Sequence, residues 1–381
     1  MGKICLVRST LNGKTLAVMY PDKKISSDST CSHESETRPL KMSSLEPVVA
    51  IEGGSVVIAM ATYNGARFVS EQIRTIQDQT FRDWVLLVRD DGSHDETTRQ
   101  ISLMAQQDAR IRLLEDGRGN QGAIGNFAML MEAALEEGAD YLFFADQDDF
   151  WLPEKLSTML AAMKEMESRE KSGTPLLVHC DLAVVDERLK VISESFAHYS
   201  RLSPATADLG VLLCQNQVTG CACLINRRLL ELACPVPSEV LMHDWWLALL
   251  AAASGKVGFI PLPLVKYRQH GGNVLGAVPF RKRTWQLLFS TRQWKKLLDT
   301  FSAGIRQTGL LAKRLRGRGV DLHRGAIEQI EVYARILDVP PLTRGQVLRR
   351  HGIGRLVLRT GWVFGIMTML ISKHPGDKSV V

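Results

Sequence analysis

Residues 55–276 predict an α/β domain built on a mostly parallel sheet flanked by helices. Three observations predict it: short buried apolar runs alternate with segments of helical period, the runs end on Asn-Gly or acidic turns, and helix-start signals follow those turns.

The first apolar run, Ser55–Ala61, is a strand that stops at Asn64-Gly65, after which Phe68, Val69, Ile73 and Ile76 have helical spacing. The second strand, Trp84–Val88, ends at Arg89-Asp90-Asp91-Gly92, and Ser93 with Glu96 has the spacing of a capping box for the next helix. Ile111–Leu114 is the third strand. The glycine-rich loop Gly117–Gly125 leads into a helix with Phe127, Leu130, Met131 and Leu135 on its apolar positions. Tyr141–Ala145, the fourth strand, runs into Asp146-Gln147-Asp148-Asp149, and Pro153 stands where proline favours a helix start. Leu176–His179, Ala222–Ile225, Val257–Ile260 and Leu264–Arg268 are further strands and His243–Ala253 a helix, completing the same sheet. Residues 1–54 form an appendage: a hairpin from Lys3 to Tyr20, turning at Asn12-Gly13, then a polar stretch.

The chain has 381 residues, 45% of them hydrophobic, enough for a sizeable core and against global disorder. Its net charge of +6 conceals an asymmetry. Residues 1–280 hold 27 Lys and Arg against 35 Asp and Glu, a balance of −8, whereas residues 281–381 hold 20 against 6, a balance of +14. A basic tail on an acidic body calls for an anionic partner or surface rather than nucleic acid. The seven cysteines are scattered without Cys-x-x-Cys spacing and read as reduced cytosolic thiols. No secretory leader is expected, and the apolar stretch Thr360 to Ser372, 13 residues, falls short of the ~20 that a bilayer crossing needs.

The chemistry is expected at strand ends, where sheets of this kind bind ligands. Asp146, Asp148 and Asp149 close a buried strand, where mutual repulsion and desolvation penalise each charge. A divalent cation relieves both, and oxygen ligands suit Mg2+ or Mn2+ shared with phosphate oxygens; a solvated acidic turn is the plain alternative. Thr62, Tyr63 and Asn64 follow the first strand and Asp90 and Asp91 the second, so three strand ends converge on one crevice. Taken singly, Asp91-Gly92-Ser93 is also an ordinary turn.

The segments ATYNGARFVSEQIRTIQDQT, VRDDGSHDET, NQGAIGNF, FFADQDDFWLPEK, TGCACLINRRLL, MHDWW and YRQHGGN together resemble inverting family 2 glycosyltransferases of the GT-A (Rossmann-like) fold, nearest the bacterial rhamnosyltransferase-like branch. The resemblance covers about residues 55–276. It implies a nucleotide-sugar half over 55–150 and an acceptor half over 151–276, followed by a basic helical tail over 277–381. It implies that Thr62, Tyr63, Asn64, Asp90 and Asp91 hold the nucleoside, that Asp146 lies near the ribose and Asp148 on the metal, and that Asp149 supports them. The catalytic base falls on Asp244, preceded by His243 where many members carry Glu. Asp244 as a mere helix cap is the alternative. The segment after the last strand would close over the diphosphate, with Arg268 as a phosphate clamp and His270 as a third metal ligand. Trp245 and Trp246 either fill core or offer an aromatic face to the acceptor sugar.

The expectation is a cytosolic enzyme, peripheral on the inner face of the membrane. It would move a sugar, rhamnose from dTDP-rhamnose, onto a glycan or lipid-linked acceptor in cell-surface polysaccharide assembly such as O-antigen. Residues 281–318, with eleven basic side chains and one acidic interleaved with Trp285, Trp294, Leu297, Leu298 and Phe301, suit an anionic membrane face or a helix packed on the domain. A nucleotide-sugar-binding protein without turnover and a metal-dependent nucleotidyltransferase or phosphohydrolase are the rival readings.

Overall fold

In the computed structural model, residues 4–11, 14–21, 54–271 and 291–354 are described. The strands are β1 Ile4–Leu11, β2 Lys14–Pro21, β3 Val56–Thr62, β4 Val85–Asp90, β5 Ile111–Leu114, β6 Tyr141–Asp146, β7 Phe150–Trp151, β8 Leu176–Val185, β9 Val191–Ser193, β10 Cys223–Asn226 and β11 Lys256–Arg268. The helices are α1 Val69–Gln77, α2 Thr97–Gln107, α3 Gly122–Glu136, α4 Lys155–Arg169, α5 Phe196–Ser200, α6 Leu209–Cys214, α7 Arg227–Ala233, α8 His243–Ser254, α9 Thr291–Arg318, α10 Ala326–Ala334 and α11 Pro341–Arg350.

One sheet runs in the order β1-β2-β11-β8-β10-β6-β3-β4-β5, with β7 on β11 and β9 on β8. The strands β5, β4, β3 and β6 are all parallel. β10 is antiparallel to both its neighbours, and β8 pairs in parallel with β11. The expected α/β sheet flanked by helices is observed, but it is mixed rather than mostly parallel: β10, the N-terminal hairpin, β7 and β9 all pair antiparallel. Because β4 and β5 lie to one side of β3 and β6 to the other, the chain reverses its winding at β3, and a crevice opens at the carboxyl ends there. Register sets what meets in it: Thr62 pairs with Asp90 and Ala61 with Asp146.

Alternation along the buried strands feeds two cores. Val56, Ile58 and Met60 of β3 face the layer of α1, α2 and α4, while Val57 and Ala59 face α3 and the helices α6 to α10. Burial of such side chains stabilises by roughly 1.5–3 kcal/mol each, which fixes the register that places the strand ends.

Three local expectations change. Val257–Ile260 and Leu264–Arg268 are one strand, interrupted by register shifts on either side of Pro263, because prolines at 261 and 263 cannot donate to the β8 ladder. The capping box does not form. Ser93 spends its hydroxyl elsewhere, and α2 starts at Thr97, whose amide donates to Asp95 at 3.0 Å. The N-terminal hairpin forms and extends the sheet through β2 against β11, while its turn at residues 12–13 lies outside the described residues.

The tail helices pack on the second core. Phe301, Ile305, Leu311 and Leu315 of α9 are buried, and Trp294, Leu297 and Leu298 lie against the same cluster. Arg314 donates to the carbonyls of Leu232, Ala233 and Cys234 at the end of α7. Trp285 and the 360–372 stretch fall outside the described residues. Among the described residues no helix is long and apolar enough to cross a membrane.

Candidate active site

The loops after β3 and β4 are laced together. Thr62 donates to Asp90 Oδ1 at 2.8 Å, and the Ser93 hydroxyl donates to the same oxygen at 2.6 Å. Asp90 Oδ2 accepts the Gly92 and Ser93 amides at 3.1 and 2.7 Å. Ser93 Oγ in turn accepts the amide of Asn64 at 2.7 Å, and Asn64, held at φ +48°, accepts the His94 amide at 2.9 Å. Asp91 is buried. It accepts Arg89 at 2.9 Å and the Gln121 and Gly122 amides at 2.7 and 2.8 Å, so its charge caps α3 and orders the glycine-rich loop. Arg89, also buried, reaches Asp116 and the Gly119 carbonyl.

Tyr63 is 45% exposed. Its main chain is fixed by Gln147, whose amide accepts from Tyr63 N at 2.9 Å and donates to Tyr63 O at 3.0 Å. The glutamine packs over Gly65, where a Cβ would lie 2.1 Å from its Oε1. The first loop is therefore fastened to the acidic turn by the residue between Asp146 and Asp148.

The turn after β6 is poor in compensating partners. Asp149 is fully buried; Oδ1 accepts the Arg268 amide at 3.3 Å, and Oδ2 has no hydrogen-bond partner. Ligand atoms of Asp146, Asp149 and Cys221 lie within 4.8 Å of one another. Burial, with repulsion from Asp148 and Asp244, pushes Asp146 up to about 7. Burial and the other two carboxylates of the turn hold Asp149 well above the usual range. Beneath them, buried Lys155 donates to the Cys221 carbonyl at 2.7 Å, with Nζ 3.0 Å from the centre of the Trp151 ring; burial pushes it down to about 8. Asp148 Oδ2 and His270 Nε2 are 2.6 Å apart, which brings the acidic turn and the end of β11 together. Oxygen and imidazole donors with an unpartnered buried carboxylate oxygen beside them fit a hard divalent cation.

Asp244 sits in the first turn of α8, 7% exposed, with burial pushing it up to about 6. His243 is buried against Phe127 and Phe144, ring centroids 4.0 and 5.1 Å away, with both ring nitrogens unpartnered. Burial lowers it to about 3, so it is neutral and brings none of the charge that a glutamate there would.

Some expected residues are drawn into the fold. Trp245 donates to the Leu212 carbonyl at 2.7 Å and Trp246 to that of Ala233 at 3.2 Å; both indoles are buried, which is the core reading rather than the acceptor one. Arg268 is buried under the crevice rather than open to it: it donates to the carbonyls of Asp148 and Glu187, pairs with Glu71 and lies over Phe68. Sequence reading passed over Gln147, Arg89, Lys155, Cys221 and Asn216. Gln147 carried a usable signal, a long amide placed inside an acidic strand-end turn. A cavity of about 440 Å3 at the opposite end of β6, lined by Asp140, Arg227 and Arg228 among others, has none of these groups.

Carboxylates gathered at the winding reversal of such a sheet stand where this α/β architecture binds its ligands. Residues 57–168 match the family model described as Glycosyl transferase family 2, the same family that the motifs resemble. The chain is 25% identical over 240 residues to the dTDP-rhamnosyl transferase RfbG of Shigella flexneri, covering 62% of this chain and 80% of that one. It is 32% identical over 108 residues to an Escherichia coli UDP-Glc:alpha-D-GlcNAc-diphosphoundecaprenol beta-1,3-glucosyltransferase, covering 28% and 40%. The first three curated relatives are spanned over 66%, 80% and 40% of their lengths. Among solved structures, S. aureus TarS in complex with UDP-GlcNAc is similar at 13% identity and a TM-score of 0.46, over 83% of this chain and 89% of that one.

Proposed function

We propose that the chain is an inverting glycosyltransferase that moves a sugar from a nucleotide-diphosphate donor to a glycan or lipid-linked acceptor in cell-surface polysaccharide assembly, with rhamnose from dTDP-rhamnose as the donor sugar. The observation that carries the reading is the convergence of Asp146, Asp148 and Asp149 with Asp244, close enough for Asp244 to raise Asp146. Two kinds of carboxylate in one crevice suit two tasks: holding a cation and taking a proton. The rhamnose and lipid-acceptor parts are supported by the names of the Shigella and Escherichia relatives alone.

Thr62 and Asp90 shape the floor under the nucleoside, Asn64 braces that loop, the exposed Tyr63 ring offers a face to the base, and Asp146 meets the ribose. Asp91 acts behind them by ordering the glycine-rich loop. Asp148 and His270 would hold Mg2+ or Mn2+, which supplies positive charge to the departing diphosphate. Asp244, held basic at neutral pH, takes the proton of the acceptor hydroxyl as that oxygen attacks the anomeric carbon from the face opposite the diphosphate. The deciding experiment is a panel of nucleotide sugars with either cation, read as nucleoside diphosphate release and as the anomeric configuration of the product. Pyrophosphate or nucleoside monophosphate would indicate the nucleotidyltransferase or phosphohydrolase reading, retention would end the inverting assignment, and no turnover with tight binding would indicate the binding-protein reading.

The same reading places the enzyme in the cytoplasm, peripheral on the membrane. Since the apolar side of α9 is taken up by the core, docking would rest on exposed Lys295, Arg306 and Lys313, each contributing roughly 1 kcal/mol near an anionic surface. Co-sedimentation with anionic vesicles should weaken with salt and on reversing these charges; equal pelleting of both proteins would assign the helix to packing alone.

A further inference from the structure

Asp244 is gripped from a segment outside every motif that marks the family. After α6 the chain runs through Gln215–Val218 around the start of α8 before reaching the short 3-10 turn Gly220–Ala222. Both sides of this strap are pinned: Gln217 Oε1 accepts the Ser203 amide at 3.0 Å, and Asn216 Oδ1 accepts the Val218 amide at 3.0 Å. The second bond orients the Asn216 side chain, because an oxygen committed to an N–H leaves the NH2 group facing the other way. That NH2 group donates to Asp244 Oδ1 at 3.0 Å, and the Trp245 amide donates to the same oxygen at 2.6 Å. Oδ2 faces Gly220, where a Cβ would stand 3.6 Å from it and would collide with the His243 ring at 2.7 Å, so the glycine lets this turn pack against the start of α8.

We propose that Asn216 is a positioning residue that ties one oxygen of Asp244 to the fold, presents the other to the acceptor hydroxyl, and keeps the carboxylate ionised at working pH. The inference rests on the assignment of Asp244 as the base. The two oxygens are unequally served. Oδ1 takes the Asn216 and Trp245 donors at 3.0 and 2.6 Å, while Oδ2 has the Gly220 amide beside it, so Oδ1 is the weaker base and the proton goes to Oδ2. A donor held against a carboxylate favours its charged form, in opposition to the burial that disfavours it. The other titratable groups in the electrostatic surroundings of Asp244 are Asp146 from β6, Cys223 from β10 and neutral His243 of its own helix. None of them brings positive charge, so burial is opposed only by hydrogen-bond donors, among them the Trp245 and Gly220 amides and the Asn216 side chain, and of these Asn216 is the one that a substitution removes.

The test is the pH dependence of turnover in the full chain with nucleotide sugar and Mn2+, for wild type, Asn216→Ala, Asn216→Asp and Asp244→Asn. The acid limb should move up by about one pH unit in Asn216→Ala, with turnover recovering toward alkaline pH. It should move further in Asn216→Asp, which keeps the shape and the Val218 bond but sets a second carboxylate against the first. Nucleoside diphosphate affinity should stay within about twofold in both, since the donor site lacks this residue. Should Asn216→Ala fail to fold, the isosteric Asn216→Asp carries the test. An acid limb unmoved in a folded Asn216 variant, with Asp244→Asn inactive, overturns this inference and leaves the base in place. Wild-type turnover in Asp244→Asn overturns the base and this inference with it.

Discussion

The turns after β4 and β6 flank β3 on either side, and each sets aspartates at the end of a buried strand, yet they are finished differently. After β4, Asp90 takes four donors from its own turn and from Thr62, while Asp91 is met by Arg89 and two amides of α3. After β6, Asp149 keeps a buried oxygen without a partner, Asp146 is raised to about 7, and the cation beneath, Lys155, bonds a carbonyl instead of a carboxylate. Carboxylates whose donors come from the chain build the crevice; those left short of donors are the ones to which a cation or a proton still has something to add.

The contrast breaks if the two turns respond alike to mutation. The largest effect is expected outside both, at the residue that faces the poorer turn: Asp244→Asn should bind donor normally and lose turnover by ~10²–10⁴-fold. Steady-state kinetics beside calorimetry would show it, and near-normal turnover would reduce Asp244 to a helix cap. Asp148→Asn should come next, abolishing the metal-dependent part of nucleoside diphosphate binding in calorimetry while leaving thermal stability close to wild type. Asp91→Ala should do the reverse. It leaves buried Arg89 with Asp116 and the Gly119 carbonyl, strips the Gln121 amide of its acceptor and leaves the Gly122 amide with Asn120 only, so urea unfolding should show a loss of about 3 kcal/mol.

The last effect is on the pH dependence of stability. The folded value of Asp244, about 6, lies above its ordinary 3.8, so between those values the folded protein binds the extra proton. Stability from this group therefore falls as pH rises from about 4 to 6 and is level above that, and Asp244→Asn should remove the slope. Unfolding midpoints of the two proteins across that window should converge at the acid end.

Much of the frame was legible because it depends on local pattern. The β3 and β6 runs are apolar without a break, and their closing Asn-Gly and Asp-Gln-Asp-Asp turns mark where they stop. What escaped depends on partners far along the chain. Ser93 and Glu96 have the spacing of a capping box, but the Ser93 hydroxyl is claimed by Asp90 and Asn64, 29 residues away from the latter, which no helical rule foresees. Asn216 lies 28 residues from Asp244, and Arg268 lies 197 from Glu71. Trp245 and Trp246 look alike to an aromatic-contact argument and to a core argument, and only the carbonyls that receive their N–H groups separate the two.

The Gln147 amide has a thermodynamic corollary. By bonding both main-chain groups of Tyr63 it makes the loop after β3 and the turn after β6 one mechanical piece. Occupants of the two ends of a nucleotide sugar's site would then be linked, and linkage is reciprocal: the factor by which the cation raises affinity for the nucleoside is the factor by which the nucleoside raises affinity for the cation. Shortening that one side chain should leave both binding events in place and bring the shared factor toward one.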